Sequence, residues 1–199
     1  PNVVIDWTPN QIGGSGPINF QQAGTTALFT NMDTATFAIL NRIIPADPSR
    51  AVTFNGNVVA QVRDLLTGAV SRGGTLFFYS PGGILVSPTG TFDVGNLVLT
   101  SSDLAYDPAS GAFDSAGSYK FLQANPGSSV QVQSGALITA GPINSYVALV
   151  APKVVNSGTI TVDGLDITKM KKDLPKLRSR RWRQLLRLWA LLLQQYWLG

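Results

Sequence analysis

From residue 1 to about residue 168 the chain leaves a helix almost nowhere to form. Runs of four to seven residues rich in Val, Ile, Leu, Phe and Thr recur, and Gly, Pro, Asn, Asp or Ser breaks nearly every window long enough for a helix. Ala51 to Phe54, Val58 to Val62, Thr75 to Tyr79, Ile84 to Val86, Leu97 to Thr100, Ser129 to Gln133, Ala136 to Thr139, Tyr146 to Val150 and Thr159 to Val162 all read as short strands. Only Asn57 to Ala69 is ambiguous between strand and helix. Two all-β architectures fit this texture. One is a sandwich or barrel of antiparallel hairpins, for which Asn55-Gly56 and Asp163-Gly164 could supply two-residue turns. The other is a parallel β-helix. The looser unit of strand, Gly or Asn turn, and strand in Ser128 to Gly141 and again in Val154 to Gly164 suits stacked rungs. Texture alone does not choose between them.

Composition restricts the chemistry. The chain contains no Cys and no His, which removes the commonest transition-metal ligands, the thiol nucleophile and the usual near-neutral general base. Glu is also absent, and the Asp residues sit mostly beside Gly, Pro, Ser or Thr, as in Asp47-Pro48 and Asp107-Pro108, which marks them first as turn carboxylates. The expectation is a protein that is not an enzyme and that takes no cofactor and no metal. The net charge of +4 averages two unlike segments. Residues 1–168 hold six Lys or Arg against ten Asp, and residues 169–199 hold nine against Asp173 alone. The body is therefore acidic and the tail strongly basic. Nothing in the body clusters Lys or Arg with aromatics, so no nucleic-acid partner is expected. No basic start followed by an apolar run opens the chain at Pro1, so an export leader is expected to have been removed or to lie outside this sequence.

Read in order, several blocks resemble one family. Ile5-Asp-Trp-Thr8, Gly16-Pro-Ile-Asn-Phe20, and Phe37-Ala-Ile-Leu-Asn-Arg-Ile43 followed by Asp47-Pro-Ser-Arg50 resemble the opening of the filamentous haemagglutinin N-terminal domain of two-partner secretion. The run Thr75 to Ile84, Ser87-Pro-Thr-Gly90 and Val94-Gly-Asn-Leu-Val98 is similar to that family's strand, turn, Gly-rich rung and following strand. Ser145 to Ile160 resembles its block of an apolar strand, Ala-Pro, and an Asn-Ser-Gly-Thr-Ile rung. The resemblance covers about residues 3–165. One departure stands out: the family's Asn-Pro-Asn-Gly turn is Ser80-Pro81-Gly82-Gly83 here, so any role of those Asn side chains is in doubt.

The resemblance implies a right-handed parallel β-helix with an N-terminal cap over residues 1–168. It implies a domain that directs a large bacterial adhesin through a pore-forming outer-membrane partner barrel, whose periplasmic modules recognise the chain while it is extended. The implied location is the surface or surroundings of a Gram-negative cell, reached through the periplasm. Host-cell or surface glycans would be ligands of repeats further downstream. Asn41, Arg42 and Ile43, with the turn Ser80, Pro81, Gly82 and Gly83, are candidates for transporter recognition. Each also has a structural reading: Asn at a rung turn beside a solvated Arg, and a tight turn preset by Pro81 and its glycines. Trp7 and Phe20 are expected to cap the N-terminal end of the helix, where an uncovered rung would expose apolar side chains and unpaired backbone. The alternative function is a β-helix that binds or cleaves polysaccharide. Asp103, Asp107 and Asp114 would be its acidic cluster, although the sequence shows no Lys or Arg beside them to hold an acidic sugar.

At about residue 169 the composition changes abruptly to Arg, Leu, Trp and Gln. Trp182, Leu185, Leu186, Trp189, Leu192, Leu193 and Tyr196 fall at helical spacing, with Arg178, Arg181, Arg183 and Arg187 largely elsewhere around the turn. Two readings stay open for 169–199: a short basic amphipathic helix that lies on a membrane or partner, or a non-native end from a frameshift, truncation or fusion.

Overall fold

A computed structural model describes residues 2–10, 14–32, 37–110, 113, 119–142 and 145–163. The expectations for Asp114 and for the tail 169–199 lie outside the described residues. A compact unit spans Pro1–Leu165. Among the described residues there are strands, turns and loops and no helix.

The strands follow one another around a coil. After β1 (Asn2–Trp7) come β2 (Ile18–Gln21), β3 (Thr26–Asn31) and β4 (Ala38–Ile43), then β5 (Val52–Phe54), β6 (Asn57–Arg63), β7 (Val70–Arg72) and β8 (Thr75–Tyr79). The next circuits are β9 (Gly83–Val86), β10 (Thr91–Val94) and β11 (Asn96–Thr100), then β12 (Ser129–Val132), β13 (Leu137–Ala140) and β14 (Val147–Val150), and finally β15 (Lys153–Asn156) and β16 (Thr159–Val162). These build three sheets ordered β1-β4-β8-β11-β14, β3-β6-β10-β13-β16 and β2-β5-β9-β12-β15, with every pairing parallel except that of β7 with β6. Successive strands visit the three sheets in turn and land beside the strand one circuit earlier. The architecture is β-helix-like.

One of the two candidate hairpin turns does other work, and the ambiguous segment resolves as a strand. Asn55-Gly56 turns the chain from β5 to β6, which belong to different sheets, and the ambiguous Asn57 to Ala69 is strand β6 followed by a turn. A Cβ at Gly56 would collide with the backbone carbonyls of Gln22 and Thr25, so this corner is glycine because the circuit before it passes so close. The shortest circuit separates Thr75 from its partner Asn96 by 21 residues. Longer circuits carry insertions: the β6–β7 hairpin, and the segment 101–128 between β11 and β12, which makes its own antiparallel bridge at Leu104 and Phe121.

Alternation along each strand divides the apolar side chains between two cores. Inside the coil, Ile43, Phe54, Phe78, Ile84, Phe92, Leu97, Val130 and Ile138 are buried together. Phe54, Phe78 and Phe92 meet edge to face or tilted at 5.0 to 5.9 Å between ring centres. On the outer face of the first sheet, Leu40, Phe77 and Val98 form a second core under Leu104 and Phe113. Full burial of each such side chain contributes about 1.5–3 kcal/mol.

Candidate functional site

The residues singled out in the sequence fall on three neighbouring parts of the coil. Asn41 and Arg42 lie within β4 rather than at a turn, so they differ from the expectation of a turn Asn beside a solvated Arg. Consecutive strand residues point to opposite faces, and the pair accordingly divides. Asn41 is fully buried on the inner side; its Oδ1 accepts from Trp7 Nε1 at 3.1 Å and its Nδ2 donates to the Phe77 carbonyl at 3.2 Å. Both ends of the amide are thereby engaged, as a buried amide requires. Ile43 is fully buried in the inner core.

Arg42 points outward and is held from several sides. It donates to Asp103 through Nε and through Nη2 at 2.7 Å, to Asp6 at 2.8 Å and to the Tyr106 hydroxyl at 3.3 Å, and its guanidinium lies 5.1 Å from the Tyr106 ring centre. Its side chain is only 16% exposed and that of Asp103 17%. The hydrogen bond to Asp103 raises the guanidinium pKa above its already high ordinary value, against the opposing effect of burial. Tyr79, the parallel partner of Arg42, has its phenol pushed up by burial and then by the Asp103 charge, with Arg42 opposing. Arg42 thus clasps the segment 101–128 onto the outer core.

Ser80 to Gly83 form the corner between β8 and β9. Gly83 N–H donates to the Ser80 carbonyl at 3.0 Å, closing a tight turn, and Ser80 N–H donates to the Thr100 carbonyl of the next circuit at 3.1 Å. A Cβ on Gly82 would run into the Arg50 backbone, and one on Gly83, where φ is +106°, into the Ser129 carbonyl. The two glycines lie between the circuit before and the circuit after, and their lack of side chains lets all three stack. The Ser80 hydroxyl is buried with no hydrogen-bond partner among the described residues. Because Tyr79 pairs with Arg42, the two candidate recognition segments occupy adjacent circuits.

Trp7 and Phe20 meet edge to face at 5.8 Å, and Phe20 continues onto Phe54 at 5.5 Å. Both belong to first-circuit edge strands, β1 and β2, and both line a cavity of about 980 Å³ at the N-terminal end of the coil, with Ile5, Phe29, Asn41 and Phe78. Trp7 remains 39% exposed. Asn41, Trp7 and Phe20 are therefore brought together, whereas Arg42 and the Ser80 corner face elsewhere.

The acidic residues are individually engaged. Asp103 holds Arg42, a basic partner 61 residues away that the sequence could not show beside it. Asp107 accepts from Ala109 N–H and from the Ser110 hydroxyl, and these bonds, the hydroxyl first, keep its carboxyl below the usual range. Among the described residues no group of three or more Asp is gathered as a metal site, and no helix is long and apolar enough to cross a membrane. Tyr106 and Tyr79 were missed as parts of the clasp; an aromatic three residues after Asp103 was the only local sign. No protein-family model, no curated protein and no solved structure matches the chain.

Proposed function

We propose that residues 1–165 are the export-directing domain of a large surface adhesin, a right-handed β-helix recognised in the periplasm by an outer-membrane partner barrel and folding outside the cell as a template for later circuits. The observation that carries this reading is the C-terminal end of the coil. The last strands of the three sheets, β14, β15 and β16, each pair on one side only among the described residues, and Val154 and Val155 of β15 stand 44% and 37% exposed. Three parallel edges in register are what a following circuit needs in order to add without a new nucleus, because each stacked strand satisfies its backbone groups on the one before. Recognition of the extended chain would use the same backbone groups, by strand addition to a receptor sheet. The engagement of Asp103 and Asp107 in structural bonds supports a non-catalytic role.

The test is deletion of residues 1–165 from the precursor that carries them. Loss of the downstream polypeptide from the cell exterior, with the partner barrel present, is the expected result. Undiminished export would overturn the proposal.

A further inference from the structure

The hairpin β6–β7 ends in Asp64-Leu65-Leu66-Thr67-Gly68-Ala69, and this tip displays apolar side chains instead of hiding them. Leu66 is 97% exposed, Leu65 65% and Val70 47%. The backbone beneath them is closed on itself. Asp64 N–H donates to the Ala69 carbonyl and Gly68 N–H to the Asp64 carbonyl, both at 2.9 Å. Leu66 and Thr67 N–H both donate to Asp64 Oδ1, at 2.8 and 2.9 Å, and Ala69 N–H donates to Thr67 Oγ1 at 3.3 Å. Gly68 takes the positive φ of 70° that completes the turn.

Five amide groups of the tip are thus satisfied before it touches anything. Closure of this kind holds a turn in water as well, but it is a condition for entry where water is scarce, since an amide donor carried into hydrocarbon without a partner is strongly penalised. It also leaves the tip few directional donors with which to specify a protein pocket. Anchors at protein interfaces favour Trp, Tyr and Arg, and Leu is under-represented among them. Exposed Arg63 ends β6 directly below the turn, paired with Val70, and with the Asp64 carboxylate beside it stands at the level of the lipid headgroups if the leucines enter the acyl boundary. We propose that the β6–β7 tip is a membrane-contacting wedge, with Leu65 and Leu66 entering the acyl boundary of a phospholipid surface. This does not rest on the export reading.

The chain has no cysteine, so a single introduced thiol can be labelled uniquely. The full chain carrying Leu66→Cys, labelled with a polarity-sensitive fluorophore, is mixed with vesicles of phosphatidylethanolamine and phosphatidylglycerol bearing an acyl-chain nitroxide. A blue shift and nitroxide quenching are expected at Leu66→Cys, neither at Ala109→Cys on the exposed 107–110 turn, and loss of both when Leu65→Ser is added. The readout is local, so membrane contact by the basic segment 169–199 does not imitate it. Absence of quenching at Leu66→Cys overturns the proposal, whether or not the chain sediments with the vesicles. Protection from aqueous iodide without nitroxide quenching also overturns it and assigns the tip to a protein pocket.

Discussion

The segment 101–128 and the β6–β7 hairpin both interrupt circuits of the coil, and each is tied to an outer sheet face by one arginine. Over the first sheet, Leu104 and Phe113 lie against Leu40, Phe77 and Val98, and Arg42 fixes the cover from within through Asp103, Asp6 and Tyr106. Over the sheet of β10 and β16, Arg72 reaches Asp93 and, at 3.5 Å, Asp163, but its side chain is 39% exposed and Leu65 and Leu66 cover nothing among the described residues. The same device therefore has two energetic meanings. A largely buried clasp secures a second core; a clasp in water sets the direction of an arm. Burial, more than the number of charges, separates them.

The largest effect that would sharpen this contrast is expected from Phe77→Ala. It removes the centre of the outer core and should cost about 3–5 kcal/mol in a denaturation measurement, with the segment 101–128 becoming the first site of proteolysis. If stability hardly changes, the outer core is not a core. Arg42→Met comes next, at about 2 kcal/mol, because Asp103 would be left largely buried without its cation. The expected signature is faster amide exchange at Leu104 and Leu122, with the inner strands unaffected. The alkaline limb is smaller. The Tyr79 phenol is held above its ordinary value, so the folded protein keeps that proton more tightly than the unfolded chain. Its contribution is complete below about pH 10 and is lost as pH rises through the folded value. Tyr79→Phe should remove that limb from a plot of denaturation midpoint against pH. Least costly is Arg72→Ala, at under about 1 kcal/mol and diminished by salt. An effect as large as that of Arg42→Met would erase the distinction between the two clasps.

Much of the coil was legible as strands because β-branched and aromatic runs are short here and interrupted by turn formers. All nine strand segments read from the sequence coincide with strands of the coil, whereas β1 to β4, β7 and β10 were not picked out as strands from texture, and β15 appeared only within the repeat unit Val154 to Gly164; β7 and β10 are short and lie next to Gly. Parallel stacking was not legible from texture. A corner such as Asn55-Gly56 uses the same residues as a hairpin turn, and insertions stretch the spacing of partners from 21 residues at Thr75 and Asn96 to 50 at Leu97 and Val147, which hides the period. At the candidate site, the glycines of the Ser80 corner could be read as a turn, but not that they lie between two other circuits. The split between Asn41 and Arg42 follows from strand alternation and was obscured by the expectation of a turn. The Arg42–Asp103 clasp joins residues far apart in the chain, and no local pattern reports such a pair.

Stacking at this density also has a mechanical side. Laid out straight, the 21 residues from Thr75 to Asn96 would reach about 70 Å at ~3.3 Å per residue. In the coil those two residues sit on neighbouring strands, about 4.8 Å apart along the stack. Even this shortest circuit therefore reels in about 65 Å of thread and longer ones reel in more, so that a coil folding from one anchored end would draw its unfolded remainder toward itself, circuit after circuit.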